Sequence, residues 1–290
     1  MNTNTLVEYD REGKGRFSRI DNMRIERGTI DDWNKLHALH YKAESLPAGA
    51  VFYRCVTEDG RLVGICVLTL VSLLLAARHE VFPALKPGKD TTFSNTQRGK
   101  WLNANMRRAS RIVTDTLFRG VGVSYRMVNL SMRIHGYKFI EIQSSMSKFN
   151  PFDLKAGFKH GKLKPSSVYD KGFAFLRQRF ASHPADHQAI TEEYLAMPEY
   201  LREAILFDLR DWYFKNSFRE KAGGVTKLED SRVLTMDFAN VMREIQQLVF
   251  ATPVYGIWRN PDFGREVPES LPLFAFDLQK PDEPLRLDLL

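Results

Sequence analysis

Two cysteines in 290 residues are too few to build a disulfide framework. Cys55 and Cys66 fall in neighbouring strand-like runs, which predicts reduced core thiols in a cytoplasmic protein, with a single disulfide as the alternative. No group of cysteine and histidine shows metal-ligand spacing, so a zinc site is not expected. Long apolar runs are missing as well. The longest, Ile65 to Ala77, is interrupted by Thr69 and Ser72 and falls short of the ~20 residues that span a bilayer, which argues against a membrane partner. The first twenty residues carry mixed charge and lack the apolar stretch of a secretory signal. No segment repeats. The apolar share is 43% and the charged share 27%, both close to ordinary usage, which excludes disordered and fibrous classes.

Acidic residues are scarce in one part of the chain. Residues 1–180 hold 30 Lys and Arg against 16 Asp and Glu, whereas residues 181–290 hold 12 against 19. A segment this basic attracts polyanions, and nucleic acid and CoA phosphates are the candidates; a merely solvated basic surface is the alternative.

Periodicity then predicts the elements. Residues 1–21 read as an irregular arm or an added strand, and Met23 to Arg27 alternates as a half-buried strand does. Thr29 and Asp32 have the spacing of a helix N-cap before Trp33, Leu36, His37 and His40. Val51–Val56 and Leu62–Leu70 predict antiparallel strands around the Asp59-Gly60 turn. Residues 71–109 read as a long insertion near the active site. The strand Arg111–Thr114, a glycine turn, an amphipathic helix from Val123 and the strand Tyr137–Ile142 form a β-α-β unit. Residues 181–251 read as an acidic helical extension able to gate access, form a homodimer surface or contact a partner. The last forty residues, with six prolines, read as an irregular arm whose Leu271–Phe276 stretch supplies contacts.

The turn Arg119-Gly120-Val121-Gly122-Val123-Ser124 precedes a helix, where backbone N–H groups and the helix dipole favour an anion. Gly120 and Gly122 permit close approach, and Arg119 adds charge at the rim. By itself the pattern serves equally as a tight turn. Its context, from Arg111-Ile-Val-Thr through Arg119–Ser124 to Phe139-Ile-Glu-Ile-Gln143, resembles the acyl-CoA-binding core of the GNAT N-acetyltransferase superfamily. A second stretch, Asn150-Pro-Phe-Asp-Leu-Lys-Ala-Gly157-Phe158, looks like that family's downstream segment. The likeness covers roughly residues 22–165 and leaves 181–290 unassigned.

The resemblance implies an α/β (α+β) fold with a mixed, largely antiparallel sheet flanked by helices, over residues 22–180, followed by the helical extension. It implies acetyl-CoA or another acyl-CoA, bound by Val113, Arg119, Gly120, Val121, Gly122, Val123, Ser124 and Asn150. The family commonly has a tyrosine general acid four residues before the closing glycine; Asp153 stands there instead, and would need a strongly raised pKa to serve. For the base, Glu141 and His40 are candidates, with an exposed carboxylate and an ordinary polar histidine as the plain alternatives. Leu39-His40-Tyr41, the Asp59–Gly64 hairpin, Arg111 and Ile142-Gln143-Ser144 further resemble the Mom-type phage branch that modifies adenine in DNA, which makes His40, Tyr41, Arg111 and Ser144 active-site candidates.

Seven basic residues lie between Arg98 and Arg126 against one acid, Asp115, with Trp101 and Phe118 interleaved. Arg98, Lys100, Arg107 and Arg108 are therefore candidates for contacting nucleic acid, DNA before RNA. Three functions follow: acyl transfer to an amine of a nucleic-acid base, acyl transfer to a protein or small-molecule amine, and a binding protein that keeps the fold without the chemistry.

Overall fold

The computed structural model describes residues 7–9, 15–40, 46–88, 91–161, 167–221, 224–250 and 253–290. The chain forms two compact units: residues 1–162 with 254–290, and residues 163–253.

In the first unit a two-stranded ribbon of β1 (Val7–Tyr9) and β2 (Gly15–Phe17) precedes α1 (Ser18–Asp21) and β3 (Met23–Arg27). Helix α2 (Ile30–Leu36) begins at the predicted cap, where the Thr29 hydroxyl accepts from the Asp32 N–H and the Asp32 carboxylate accepts from the Thr29 N–H. Strands β4 (Val51–Thr57) and β5 (Leu62–Thr69) pair antiparallel around Gly60, whose φ of 82° suits glycine. β5 is buried along nearly its whole length: α2 covers Ile65 and Val67 on one face, while Val63, Cys66 and Leu68 join the main core. Cys55 and Cys66 are free and buried, and burial pushes both thiols up to about 12.

The stretch read as a long insertion is largely helical: α3 (Ala76–Val81) and the fourteen-residue α4 (Thr92–Asn105) lead into β6 (Met106–Thr114). Only Leu102 of α4 is buried, so no apolar stripe marks the helix in the sequence. β6 also starts five residues before the predicted strand. Then α5 (Val123–His135), β7 (Phe139–Ser144), α6 (Phe152–Lys155) and β8 (Lys159–His160) follow.

The supposed irregular C-terminal arm returns to the sheet. Strand β9 (Val254–Arg259) inserts between β7 and β8, and β10 (Leu271–Pro272) pairs with β3. The sheet runs β10-β3-β4-β5-β6-β7-β9-β8, antiparallel at every neighbour except β6 and β7. Residues Leu271, Leu273, Ala275 and Phe276 are buried in the main core, supplying the contacts the sequence suggested. Arg133 on α5, 1% exposed, ties this return to the helix through Asp262, while the Asn129 amide donates to the Pro281 carbonyl.

The second unit comprises α7 (Ser167–Arg177), α8 (His187–Leu195), α9 (Glu199–Asn216) and α10 (Phe238–Phe250). Leu176, Ile190, Leu209, Val241, Met242 and Ile245 build its own core. The boundary thus falls before α7 and not at residue 180. It also moves the charge: the first unit holds 30 Lys and Arg against 22 Asp and Glu, the second 12 against 13. The helical unit is near neutral because it takes in residues 163–180, with four Lys and Arg against one Asp, and leaves residues 254–290, with four against seven, to the first unit.

Candidate functional site

The parallel ladder of β6 and β7 stops at Ala109 and Ile142, although β6 runs on to Thr114 and β7 to Ser144. A β-bulge takes Ser110 out of register with β5, where its hydroxyl still meets that of Thr69, and bends the strand. Beyond it β6 follows β5 and β7 follows β9, so the sheet opens between them. The opening is a cleft of about 680 Å³. Ser110, Ile112, Val113 and Thr114 line one wall, Ile142, Gln143 and Ser144 the other, and the turn at 119–124 closes one end.

That turn needs its glycines. Gly120 and Gly122 have φ of 86° and 85°, a left-handed conformation that costs other residues about 1–2 kcal/mol. Gly122 is the N-cap of α5 and brings no side chain to satisfy the first N–H groups of the helix. Donors of this kind suit an anion. Arg126, one helical turn on, donates to the Gly122 carbonyl (3.0 Å) and pairs with Asp277 (2.8 Å), bracing the turn from behind. The Tyr125 ring meets Phe276 edge-on at 5.3 Å, and burial raises its phenol pKa while the Arg126 charge opposes the rise. Arg119 is exposed at the rim, its Nε donating to the Thr114 carbonyl (3.3 Å). The Thr114 hydroxyl, on the cleft wall, is buried without a hydrogen-bond partner among the described residues. A polar ligand atom there would complete it.

His40 follows the 3-10 turn His37–Leu39 and lines the cleft, its ring 6.1 Å from that of Trp33. Among the lining residues its imidazole is the one side chain of a type that exchanges a proton near neutral pH. Val113, Ser144, Asn150 and every residue of the 119–124 turn also line the cleft. The Ser144 oxygen accepts from the Ser147 N–H at 3.2 Å.

Arg111, Glu141 and Asp153 are not among the lining residues. Glu141, the other candidate base, is fully buried, unlike the exposed carboxylate of the plain alternative, and accepts from Arg78 (2.8 and 2.9 Å), Arg108 (2.8 Å) and the Tyr255 hydroxyl (3.3 Å). A carboxylate so held is a structural ion-pair centre. Asp153 is also fully buried, bonded to His160 Nε2 at 2.6 Å and to the Leu154 N–H. Arg111 donates to the Ser110 carbonyl. Tyr41 lies outside the described residues.

Of the proposed nucleic-acid contacts, Arg108 turns inward to Glu141 and Arg107 packs over the Tyr137 ring at 3.7 Å. Arg98 donates to the Asn95 side chain, while Lys100 is exposed on α4. The sequence reading missed Thr114, Tyr125, Arg126 and Lys155 as cleft residues. Tyr125 and Arg126 had a signal, since they occupy the first turn of the helix that the glycine turn starts.

No protein-family model and no curated protein matches the sequence. Among solved structures, the apo form of an agmatine N-acetyltransferase mutant is similar over 49% of this chain and 85% of that one, at 11% identity and a TM-score of 0.30. So distant a likeness leaves the chemistry to be read from the cleft itself.

Proposed function

We propose that the chain is an acyl-CoA-dependent N-acyltransferase, with the acyl-CoA in the β6–β7 cleft. The observation that carries this is the opening of the two parallel strands directly onto a glycine turn at a helix N-terminus. An anion at that turn meets uncapped N–H groups, with Arg119 and Lys155 beside it. Beyond Ala109 the β7-facing edge of β6 has no strand partner, and its backbone groups suit the amides of an extended arm. The unpartnered Thr114 hydroxyl adds a donor or acceptor on the same wall.

Acyl-CoA supplies an activated carbonyl; the chain's residues orient it and move protons. His40 takes the proton from the attacking amine as the carbon–nitrogen bond forms. As the carbon–sulfur bond breaks, the CoA thiolate leaves carrying the negative charge, and Ser144, whose oxygen accepts from the Ser147 N–H, keeps its hydroxyl hydrogen to hydrogen-bond that sulfur.

The acceptor we assign is an amine of a nucleic-acid base, DNA before RNA, supported by the excess of 30 basic over 22 acidic residues in the unit that holds the cleft. Such a base must be unstacked or single-stranded to enter a cleft. Incubation with isotope-labelled acetyl-CoA and separate pools of single-stranded DNA, RNA, protein and polyamine tests both levels. Label is expected on nucleosides by mass spectrometry and lost in His40→Ala. Label on protein or polyamine alone overturns the acceptor, and label on no pool overturns the transferase.

A further inference from the structure

A second pocket, of about 500 Å³, lies at the opposite end of β7 and shares no lining residue with the cleft. From Phe139 to Ser144 the strand spans about 17 Å at its usual rise. Three phenyl rings enter it: Phe82 meets Phe139 edge-on at 5.3 Å, and Phe263, on the turn after β9, is 51% exposed. Lys138 Nζ sits 5.7 Å from the Phe139 ring centre and 5.8 Å from that of Phe263, and Arg259 is exposed beside them. Lys159 and Asp282 face each other at 3.9 Å on the rim, so the pocket keeps a cationic excess.

Asn260 gives the pocket its direction. It is 4% exposed, its main-chain N–H donates to the Lys138 carbonyl (3.0 Å), and its side-chain oxygen accepts from the Asp262 N–H (2.9 Å). The Nδ2 donor of the same amide is buried and has no hydrogen-bond partner among the described residues. Buried donors left unmet call for a partner. Outside the pocket Trp101 on α4 lies 6.4 Å from the Phe139 ring, 37% exposed, next to the exposed Lys100.

Exposed aromatic faces favour a flat ring, cations favour phosphate, and a fixed amide donor favours an acceptor on the ring's edge. A nucleobase with its phosphate meets all three requirements. We infer that this pocket binds one nucleotide of a single-stranded nucleic acid. Its base lies on the Phe263 and Phe139 rings, its edge accepts from Asn260 Nδ2, and its phosphate contacts Lys138 and Arg259. Trp101 stacks a neighbouring base, which favours a strand over a free nucleotide. The inference stands apart from acyl transfer in the cleft.

The test is fluorescence anisotropy of a labelled single-stranded 12-mer, as DNA and as RNA, at 50 and 200 mM salt, with AMP and UMP as competitors. The wild type is expected to bind saturably. Phe263→Ala, at an exposed position, should weaken binding about ten-fold or more through loss of stacking. The isosteric Asn260→Asp should weaken it comparably, and Lys138→Glu with Arg259→Glu should flatten the salt dependence. Thermal melts of each variant, with and without acetyl-CoA, monitor the fold and the cleft separately. No saturable binding at 50 mM salt, or wild-type affinity in both Phe263→Ala and the double charge reversal, overturns the site. Displacement by a mononucleotide as tight as the oligomer overturns the strand as its occupant.

Discussion

At the scale of the residue, the cleft separates two candidate bases that looked equivalent as letters. His40 stands on the cleft wall, whereas Glu141 holds Arg78 and Arg108 in a buried ion-pair cluster. His40→Ala should therefore lower kcat/KM by about 10²–10⁴-fold while acyl-CoA affinity holds. Wild-type turnover in the variant would remove His40 from the chemistry. Glu141→Ala should behave as a folding variant. It leaves a wholly buried guanidinium unpaired, at a cost of about 3–5 kcal/mol readable by urea denaturation. A fully stable but inactive Glu141→Ala protein would restore the carboxylate as a base. Sequence shows the charge at such a position; it does not show that Arg78, 63 residues away, arrives to bury it. Asp153 is hidden for the same reason, since its partner His160 comes from β8.

At the scale of the element, α5 joins the glycine turn at its start to a half-buried histidine at its end. His135 receives the Tyr53 side chain at 2.9 Å and stacks on Tyr137 at 4.9 Å. Burial, then the charges of Arg107 and Arg27, push its pKa down to about 4. The folded protein therefore keeps His135 neutral while the unfolded chain takes up a proton below about 6.5. Stability attached to this residue is fully present above that value, falls as pH drops through the window, and is gone below about 4. Urea midpoints measured from pH 7 to pH 4.5 should decline less in His135→Asn than in the wild type. Parallel slopes would contradict the assignment.

Elements with an apolar stripe or a turn signature were legible: the β4–β5 hairpin, the capped α2 and the β6-α5-β7 unit. Two were not. Helix α4 buries a single side chain, and β9 lies between Pro253 and Pro261, so its buried core from Val254 to Trp258 reads as part of a proline-rich arm.

At the scale of the whole molecule, segments distant in sequence complete the site. The return of residues 254–290 supplies β9 beside β7, Phe276 against Tyr125 and Asp277 behind the glycine turn. This return, together with a unit boundary that gives residues 163–180 to the helices, turns a contrast between a basic front and an acidic tail into a basic sheet unit and a near-neutral helical unit. Linear charge counting cannot anticipate such folding back. The architecture that matters for function was legible as a strand, turn, helix and strand. The cleft between the strands was not, because it depends on where a parallel ladder stops, and that stop is set by a bulge at Ser110 that no residue type announces.

The central claim is that this opening holds an acyl-CoA, and isothermal titration of the whole chain with acetyl-CoA measures it most directly. One saturable site is expected, accompanied by a rise in melting temperature equivalent to about 2.7 kcal/mol at a hundred times Kd. Arg119→Glu, a charge reversal at an exposed position beside the turn, should weaken binding by about ten-fold or more. Absence of binding by the wild type, or identical affinity in Arg119→Glu, would contradict the account.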